Sequence, residues 1–205
     1  LTKGKPIRIL FALGLFTAIV SAFLDNVTTV ILVMPITFAI AKQLEINPVP
    51  ILITEVIASN VGGTSTLIGD PPNIIIGSAA GFSFMDFIRE LTIIVAIILS
   101  IVVSIMSVWF KKHLHASEER MAQIANMDNS KTITDKSLMV RSLLVLFLVI
   151  LGFVTHDITH IQTCVCAMAG ASGLLLFEKP HEILHDVEWN TIFFFIGLFV
   201  IIGGF

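Results

Sequence analysis

Apolar and polar positions in this chain come in long blocks. Apolar runs cover Ile9 to Leu24, Val30 to Ala41, Ile51 to Val61, Ile74 to Ala80, Leu91 to Phe110, Val140 to Thr155 and Ile161 to Phe177, and another starts at Thr191. Such runs predict helices. The clearest, Leu91 to Phe110, makes about 30 Å of helix, enough to cross a hydrocarbon core. Two of the polar blocks between the runs sit where lipid should be: Asp25-Asn26-Val27-Thr28-Thr29, and Gly62-Gly63-Thr64-Ser65-Thr66-Leu67-Ile68-Gly69-Asp70-Pro71-Pro72-Asn73.

The arms around the first block are short for full spans. Ile7 to Phe23 is 17 residues, about 26 Å of helix, and Val27 to Ala41 is 15 residues with Pro35 inside it, about 22 Å. Lys3, Lys5 and Arg8 at one outer end and Lys42 at the other place both ends on one face of the membrane. Residues 7–41 therefore read as a re-entrant hairpin with Asp25 to Thr29 at its tip. Glu45-Ile46-Asn47-Pro48 is a turn, with Pro48 suited to the first turn of the next helix. Residues 49–80 then read as one broken crossing: a half-helix from Val49 to Asn60, the glycine-rich break, and Ile74 to Ala80. Lipid cannot satisfy bare backbone groups, so such a break must be buried in protein or line a wet cavity. Paired broken helices meeting at the midplane are characteristic of secondary transporters. Beyond a short connection, Gly81 to Glu90, come a span over 91–110 and a partly helical linker over 111–136. Spans at 140–155 and 161–177 follow, then a polar stretch and a truncated apolar segment at 191–205.

Composition agrees with this reading. The chain is 56% hydrophobic and 13% charged, with mean hydropathy +0.96, whereas soluble domains carry about a quarter charged residues. This excludes an ordinary soluble domain and predicts an all-α polytopic membrane protein. The net charge of −3 says little, because orientation follows the positions of Lys and Arg. The layout puts Lys3, Lys5, Arg8, Lys42, Lys111, Lys112, Arg120, Lys131, Lys136, Arg141 and Lys179 on one side and leaves only Arg89 on the other, eleven against one of the twelve basic residues. Positive-inside bias makes the side of Lys3, Lys42, Lys111 and Lys179 cytoplasmic. Cys164 and Cys166 lie in an apolar run as a C-x-C pair, which points to different helix faces and reads as two small hydrophobes. The start at Leu1 and the end at Gly203-Gly204-Phe205, inside an apolar segment, suggest the middle of a longer protein.

Three carboxylates fall at predicted membrane depth: Asp25, Glu55 and Asp70. A charge there costs a few kcal/mol or more unless paired or hydrated, so each is a functional candidate. Helix capping is the competing role. Asp25 or Asn26 suits the N-cap of the helix near Val27, and Asp70 precedes Pro71, a common first helical residue. Glu55 lies inside a half-helix, where no cap is needed, so it either pairs with a polar residue or binds a proton. Thr28, Thr29, Thr64, Ser65 and Thr66 offer hydroxyls, and Gly62, Gly63 and Gly69 let carbonyls approach an ion; oxygen ligands suit Na⁺. Close helix packing is the other role for those glycines. Helix N-termini at the same breaks favour an anion instead, so the charge of the ligand stays open.

The stretch Ser21-Ala22-Phe23-Leu24-Asp25-Asn26-Val27-Thr28-Thr29, with Glu55, Asn60 and the run from Gly62 to Asn73, resembles the ion transporter superfamily. The nearest group is that of arsenite-pump permeases, NhaD-type Na⁺/H⁺ antiporters and the melanosomal P protein, with a citrate transporter-like domain. Sodium–dicarboxylate symporters are more distant, carrying Ser-Asn-Thr where this chain has Asp25-Asn26-Val27. The resemblance implies a homodimer of two inverted repeats, each giving a hairpin and a broken helix, with elevator-like movement. It places Asp25, Asn26, Thr28 and Thr29 at the hairpin tip and Gly62, Gly63, Thr64, Thr66, Asp70 and Asn73 on the facing loop. Na⁺ is expected near Asp25, Asn26, Thr64 and Thr66, with Na⁺ or H⁺ as coupling ion. The resemblance makes residues 1–110 the first-repeat transport region, 111–136 a cytoplasmic linker and 137–205 the start of the second repeat, whose hairpin and loop are expected beyond Phe205.

The expected function is secondary transport of a small inorganic ion, first Na⁺/H⁺ antiport and next efflux of arsenite or another anion. A carboxylate at the tip can carry a proton where the symporters' serine cannot. No organic cofactor and no nucleic-acid partner are expected; the partners are the transported ion and membrane lipid. Two weaker readings complete the set. His156, Asp157 and His160, or His181 and His185, have spacings that suit a metal. Leu67-Ile68-Gly69-Asp70 with Asp25 is a distant match to intramembrane aspartyl proteases.

Overall fold

The computed structural model describes residues 2, 4–125, 136–176, 187 and 189–203. The chain divides into two compact units, Leu1–Ile133 and Thr134–Phe205. The described residues are helical with short connections and contain no strand.

In the first unit the helices are α1 (Pro6–Ser21), α2 (Asn26–Leu44), α3 (Val49–Gly63), α4 (Pro71–Ala80), α5 (Phe84–Trp109) and α6 (Glu118–Ala125), with a 3₁₀ turn at Phe110–Lys112. Helix α1 packs most extensively on α3, and α2 and α5 complete the bundle around α3. On α3, Ile51, Thr54, Glu55, Ala58, Ser59, Gly62 and Gly63 are buried, a stripe at helical spacing. Against it α1 turns Gly14, Thr17, Ala18 and Ser21, and α2 turns Thr29, Val33 and Thr37. An apolar cluster of Ile9, Leu10, Leu44, Ile51 and Leu114 closes one end of the unit. Farther along, the interior becomes polar: Thr17, Ser21, Thr29, Thr37, Thr54 and Glu55 are fully buried. Large apolar side chains such as Phe16, Ile19, Leu32, Ile93 and Val108 point outward, as a lipid solvent requires.

Several boundaries differ from the sequence reading, each for a local reason. Helix α2 runs to Leu44, with Glu45 left-handed at its end and the Ile46 N–H on the Ala41 carbonyl. At 19 residues it is long and apolar enough to cross a membrane, so the second hairpin arm is not short. The tip loop is Ala22 to Asp25, and Thr28 and Thr29 belong to the first turn of α2. Helix α3 continues through Gly62 and Gly63, and α4 begins at Pro71 and contains Asn73, so the non-helical break is 64–70. Pro48 sits at the N-cap of α3 and Pro50 in its first turn. Phe84 to Glu90 is helix, not a connection, because Ser83 and Asp86 form a capping box that starts α5 there. Arg120 of α6 pairs with Glu45 at 2.5 Å and donates to the Gln43 carbonyl, so part of the hydrophilic linker is helical and docks on the end of α2.

The second unit contains α7 (Lys136–Val154), a helical turn α8 (His156–Thr159), α9 (Thr163–Leu175) and α10 (Trp189–Gly203). Helices α7 and α9 pack through glycines: Gly152 faces Cys166, and Gly170 faces Val145 and Val149. Cys164 and Cys166 are free thiols. The last helix starts at Trp189, before the expected Thr191. With α2 and the stretch from α5 to Lys112, α7 is the third helix among the described residues long and apolar enough to span a bilayer. Lys3, Lys131, Lys179, His181, His185 and the side chain of Asp157 lie outside the described residues.

Candidate ion site

The two interruptions meet. The Thr66 hydroxyl donates to the Ala22 carbonyl at 2.5 Å, and the Asn26 amide donates to the Asn60 side chain at 3.0 Å. The Ser21 hydroxyl donates to the Ser59 carbonyl at 2.8 Å. The tip of the α1–α2 hairpin is thus bonded to the end of α3 and to the α3–α4 break at three points.

Glycine makes this approach possible. A Cβ on Gly62 would fall on the Ala18 carbonyl, one on Gly63 would lie 2.6 Å from the Gly69 oxygen, and one on Gly69 would lie 2.5 Å from the Gly63 oxygen and 2.7 Å from that of Ser21. Close packing, the competing role for these residues, therefore operates at all three.

The break is braced from within. The Asn73 amide donates to the carbonyls of Thr64 at 3.2 Å and Thr66 at 2.8 Å, and the Gly69 N–H donates to the Thr66 hydroxyl at 3.1 Å. Thr64 and Ser65 hydroxyls return to the carbonyls of Val61 and Gly62, tying the end of α3. Thr66, Gly69 and Asn73 are buried, whereas Asp25, Asn26, Thr28, Thr64 and Asp70 form a half-exposed rim with Asn60 exposed beside it.

The rim's two carboxylates differ. Asp25 caps α2: its Oδ1 accepts from the Val27 N–H at 3.1 Å, and its Oδ2 accepts from the Thr28 N–H at 3.0 Å and the Thr28 hydroxyl at 2.5 Å. Asp70 occupies the N-cap position of α4, but its side chain makes no cap bond. A cap needs an N–H two or three residues on. Here Pro71 and Pro72 have none, and the Asn73 N–H already bonds to the Asp70 carbonyl. The expected capping role therefore fails at Asp70, whose carboxylate lies within electrostatic reach of Asp25.

Of the candidate residues, Asp25, Asn26, Thr28, Asn60, Gly62, Gly63, Thr64, Thr66, Asp70 and Asn73 come together at the junction. Thr29 closes the first turn of α2, its hydroxyl buried without a hydrogen-bond partner. Glu55 is elsewhere in the bundle, bonded to the Thr37 hydroxyl. Ser21, Ser59 and Thr37, which the sequence reading does not put at the site, hold the junction and Glu55. Their signal is the recurrence of polar residues at multiples of four: Thr17 and Ser21, Glu55 and Ser59 at four, Thr29 and Thr37 at eight. A cavity of about 320 Å³ lies beside the junction against Thr92 and Leu99 of α5. Neither Asp25 nor Asp70 lines it, so a cation held by carboxylate would sit at the rim instead. No group of three or more His, Cys, Asp or Glu among the described residues could hold a metal, and the ring of His156 bonds to the Ile161 carbonyl.

The chain is 42% identical over 204 residues to the 46 kDa membrane protein of Mycobacterium leprae, covering 98% of this chain and 48% of that one. It is 41% identical over 203 residues to an uncharacterized transporter of Mycobacterium tuberculosis, covering 98% and 47%. With the P protein of Mus musculus it shares 29% identity over 275 residues, 98% of this chain and 33% of that protein. The chain thus spans about half the length of the mycobacterial relatives. No solved structure matches it. A family named for transport removes the aspartyl-protease alternative. The model of the citrate transporter family matches residues 1–205, so this chain belongs to that family of integral membrane transporters.

Proposed function

We propose that the junction is half of a cation site in a secondary transporter that exchanges Na⁺ for protons. One observation carries this reading: where α2 and α4 start at the rim, most backbone N–H groups are already engaged or absent while carboxylate oxygens remain. At the start of α2 the Val27 and Thr28 amides are taken by Asp25. At the start of α4 two prolines supply none, and Asn73 is taken by Asp70. A helix N-terminus attracts an anion through its free amides, so these termini have little to give one. Two carboxylates within reach of each other repel, and either a proton or a hard cation between them relieves the repulsion. Occupancy by one excludes the other, and mutual exclusion is the basis of antiport. Asp25, Asn26, Thr64, Thr66 and Asp70 supply the oxygens. The facing half comes from the hairpin and loop of a second, inverted repeat that starts within residues 137–205, and two copies form the working dimer. Lys42 and Lys111 face the cytoplasm, and Arg89 the other side.

The test is Na⁺-driven pH change in vesicles holding the full-length protein. Exchange is expected in wild type and lost in Asp25→Asn, and the apparent affinity for Na⁺ should fall as pH falls, because proton and Na⁺ compete. An unchanged signal in Asp25→Asn ends the role of that residue. The family's description favours a second reading, citrate transport. Beside two carboxylates a citrate anion needs a cation as intermediary, so uptake of labelled citrate that depends on an added cation, with no Na⁺/H⁺ exchange, would decide for it. Arsenite efflux is weaker because no cysteine lies near either break.

A further inference from the structure

Glu55 stands outside the ion site just described, yet it is a carboxyl group with no solvent exposure. Its Oε1 accepts from the Thr37 hydroxyl. Its Oε2 is buried without a hydrogen-bond partner. The elements packed on α3 are α1, α2 and α5. Their titratable groups are Arg8 on α1, Lys42 on α2 with Asp25 at its cap, and Asp86, Arg89 and Glu90 on α5; α3 itself has only Glu55. None of them forms an ion pair with Glu55, which sits in the desolvating bundle with the Thr37 bond. A carboxylate taken out of water without a countercharge neutralises itself instead. A neutral acid fits this place: Oε1 serves as the carbonyl oxygen for Thr37, and Oε2 carries the proton. The other buried hydroxyl without a partner, Thr29 Oγ1, lies on the same face of α2, two turns toward Asp25.

We propose that Glu55 is a proton-binding site separate from the Asp25–Asp70 pair, holding an uncharged carboxylic acid against Thr37 between α2 and α3, and that this proton is loaded and released during transport. The binding claim stands apart from the cation reading; the coupling claim rests on transport with protons. Glutamine is the neutral isostere of the acid, so Glu55→Gln should fold and reach the membrane as wild type does.

The experiment takes the full chain in bilayers and compares infrared spectra of wild type and Glu55→Gln above the ordinary carboxylate range. A protonated carboxyl C=O band present in wild type, absent in Glu55→Gln and moved to the frequency of a free carbonyl in Thr37→Val supports the binding claim. Identical spectra for wild type and Glu55→Gln overturn it. Proton flux is then driven by a Na⁺ gradient or a citrate gradient. Loss of pH dependence in Glu55→Gln, with the cation still bound, supports coupling, and a wild-type pH profile overturns it. If neither gradient moves protons in wild type, coupling falls together with the antiport reading, while the band still decides whether Glu55 holds a proton. If Asp25→Asn abolishes Na⁺ exchange but leaves the band, the two sites are distinct; loss of the band in that variant overturns their separation.

Discussion

The α1–α3 contact and the α7–α9 contact use one device for different ends. Both bring helices together on small residues, as helices in lipid do when water cannot drive them together. In the second unit the contact is glycine on Cys166 and on valines, and Phe153 is the one residue buried among those described. In the first unit the tightest α1–α3 approach is glycine on backbone, Gly62 on the Ala18 carbonyl, with Gly14 on the Thr54 side chain and Gly63 against Gly69 of the break, and the buried neighbours carry hydroxyls and a carboxyl. A side chain can give way, and a main-chain carbonyl in a helix cannot. The first contact therefore fixes oxygen positions, as the proposed ion site requires, and the second holds two helices together through side chains.

The largest effect is expected from Gly62→Ala. In a helix that change ordinarily gains roughly 1 kcal/mol. Here the added methyl meets Ala18 backbone, and overpacking costs about 1–3 kcal/mol or more, so the sign reverses. We expect Gly62→Ala to lose its monodisperse peak in detergent, or to unfold at a much lower temperature. Gly170→Ala meets the Val149 side chain and should cost less, because a valine rotamer can move. Equal losses in the two would erase the distinction between the contacts.

Thr66→Val comes next. It keeps the shape and removes the donor to the Ala22 carbonyl and the acceptor for the Gly69 N–H. Each buried group left unsatisfied costs about 1–3 kcal/mol. Thermal unfolding should drop for Thr66→Val and recover in Thr66→Ser, which restores the hydroxyl. A Val variant as stable as wild type would mean that the tip and the break are not held by this bond.

The role of Thr66 shows how far the sequence is legible and where legibility stops. The breaks are visible, because lipid tolerates a polar, glycine-rich run inside an apolar block only where protein or water shelters it. Their meeting follows from the backbone's need for partners. The helix ends are less visible. Gly62 and Gly63 look like breakers, yet they continue α3, because a neighbouring backbone fills the space their side chains would occupy. The Ser83 and Asp86 capping box hides inside a polar stretch that reads as a connection. The partner of Glu55 is also out of reach: Thr37 lies in the second hairpin arm, 18 residues away, and only packing of α2 on α3 joins them.

Asp25 allows charge to be separated from capping. Asn caps a helix about as well as Asp, whereas Ala loses about 1 kcal/mol. Asp25→Ala should therefore lower the unfolding temperature by a few degrees, and Asp25→Asn by less, because its one amide oxygen keeps part of the cap while the carboxylate is removed. Comparable destabilisation in both variants would show that the charge itself supports the junction, and Asp25→Asn could then no longer serve as a clean probe of ion exchange.

The smallest expected effect is also the control for the others. Gly173 lies in α9, where an added Cβ meets nothing within 4 Å. Gly173→Ala keeps the intrinsic helix preference and adds no clash, so it should be neutral or raise stability by up to roughly 1 kcal/mol. The same methyl that disrupts α3 at Gly62 is then harmless in α9, and the difference lies in what stands opposite each glycine. Should Gly173→Ala destabilise the protein as much as Gly62→Ala, a surface of α9 that is open within this chain must be covered in the assembled transporter. The contrast drawn from the two units would then shrink to one between backbone and side-chain contacts within the first unit.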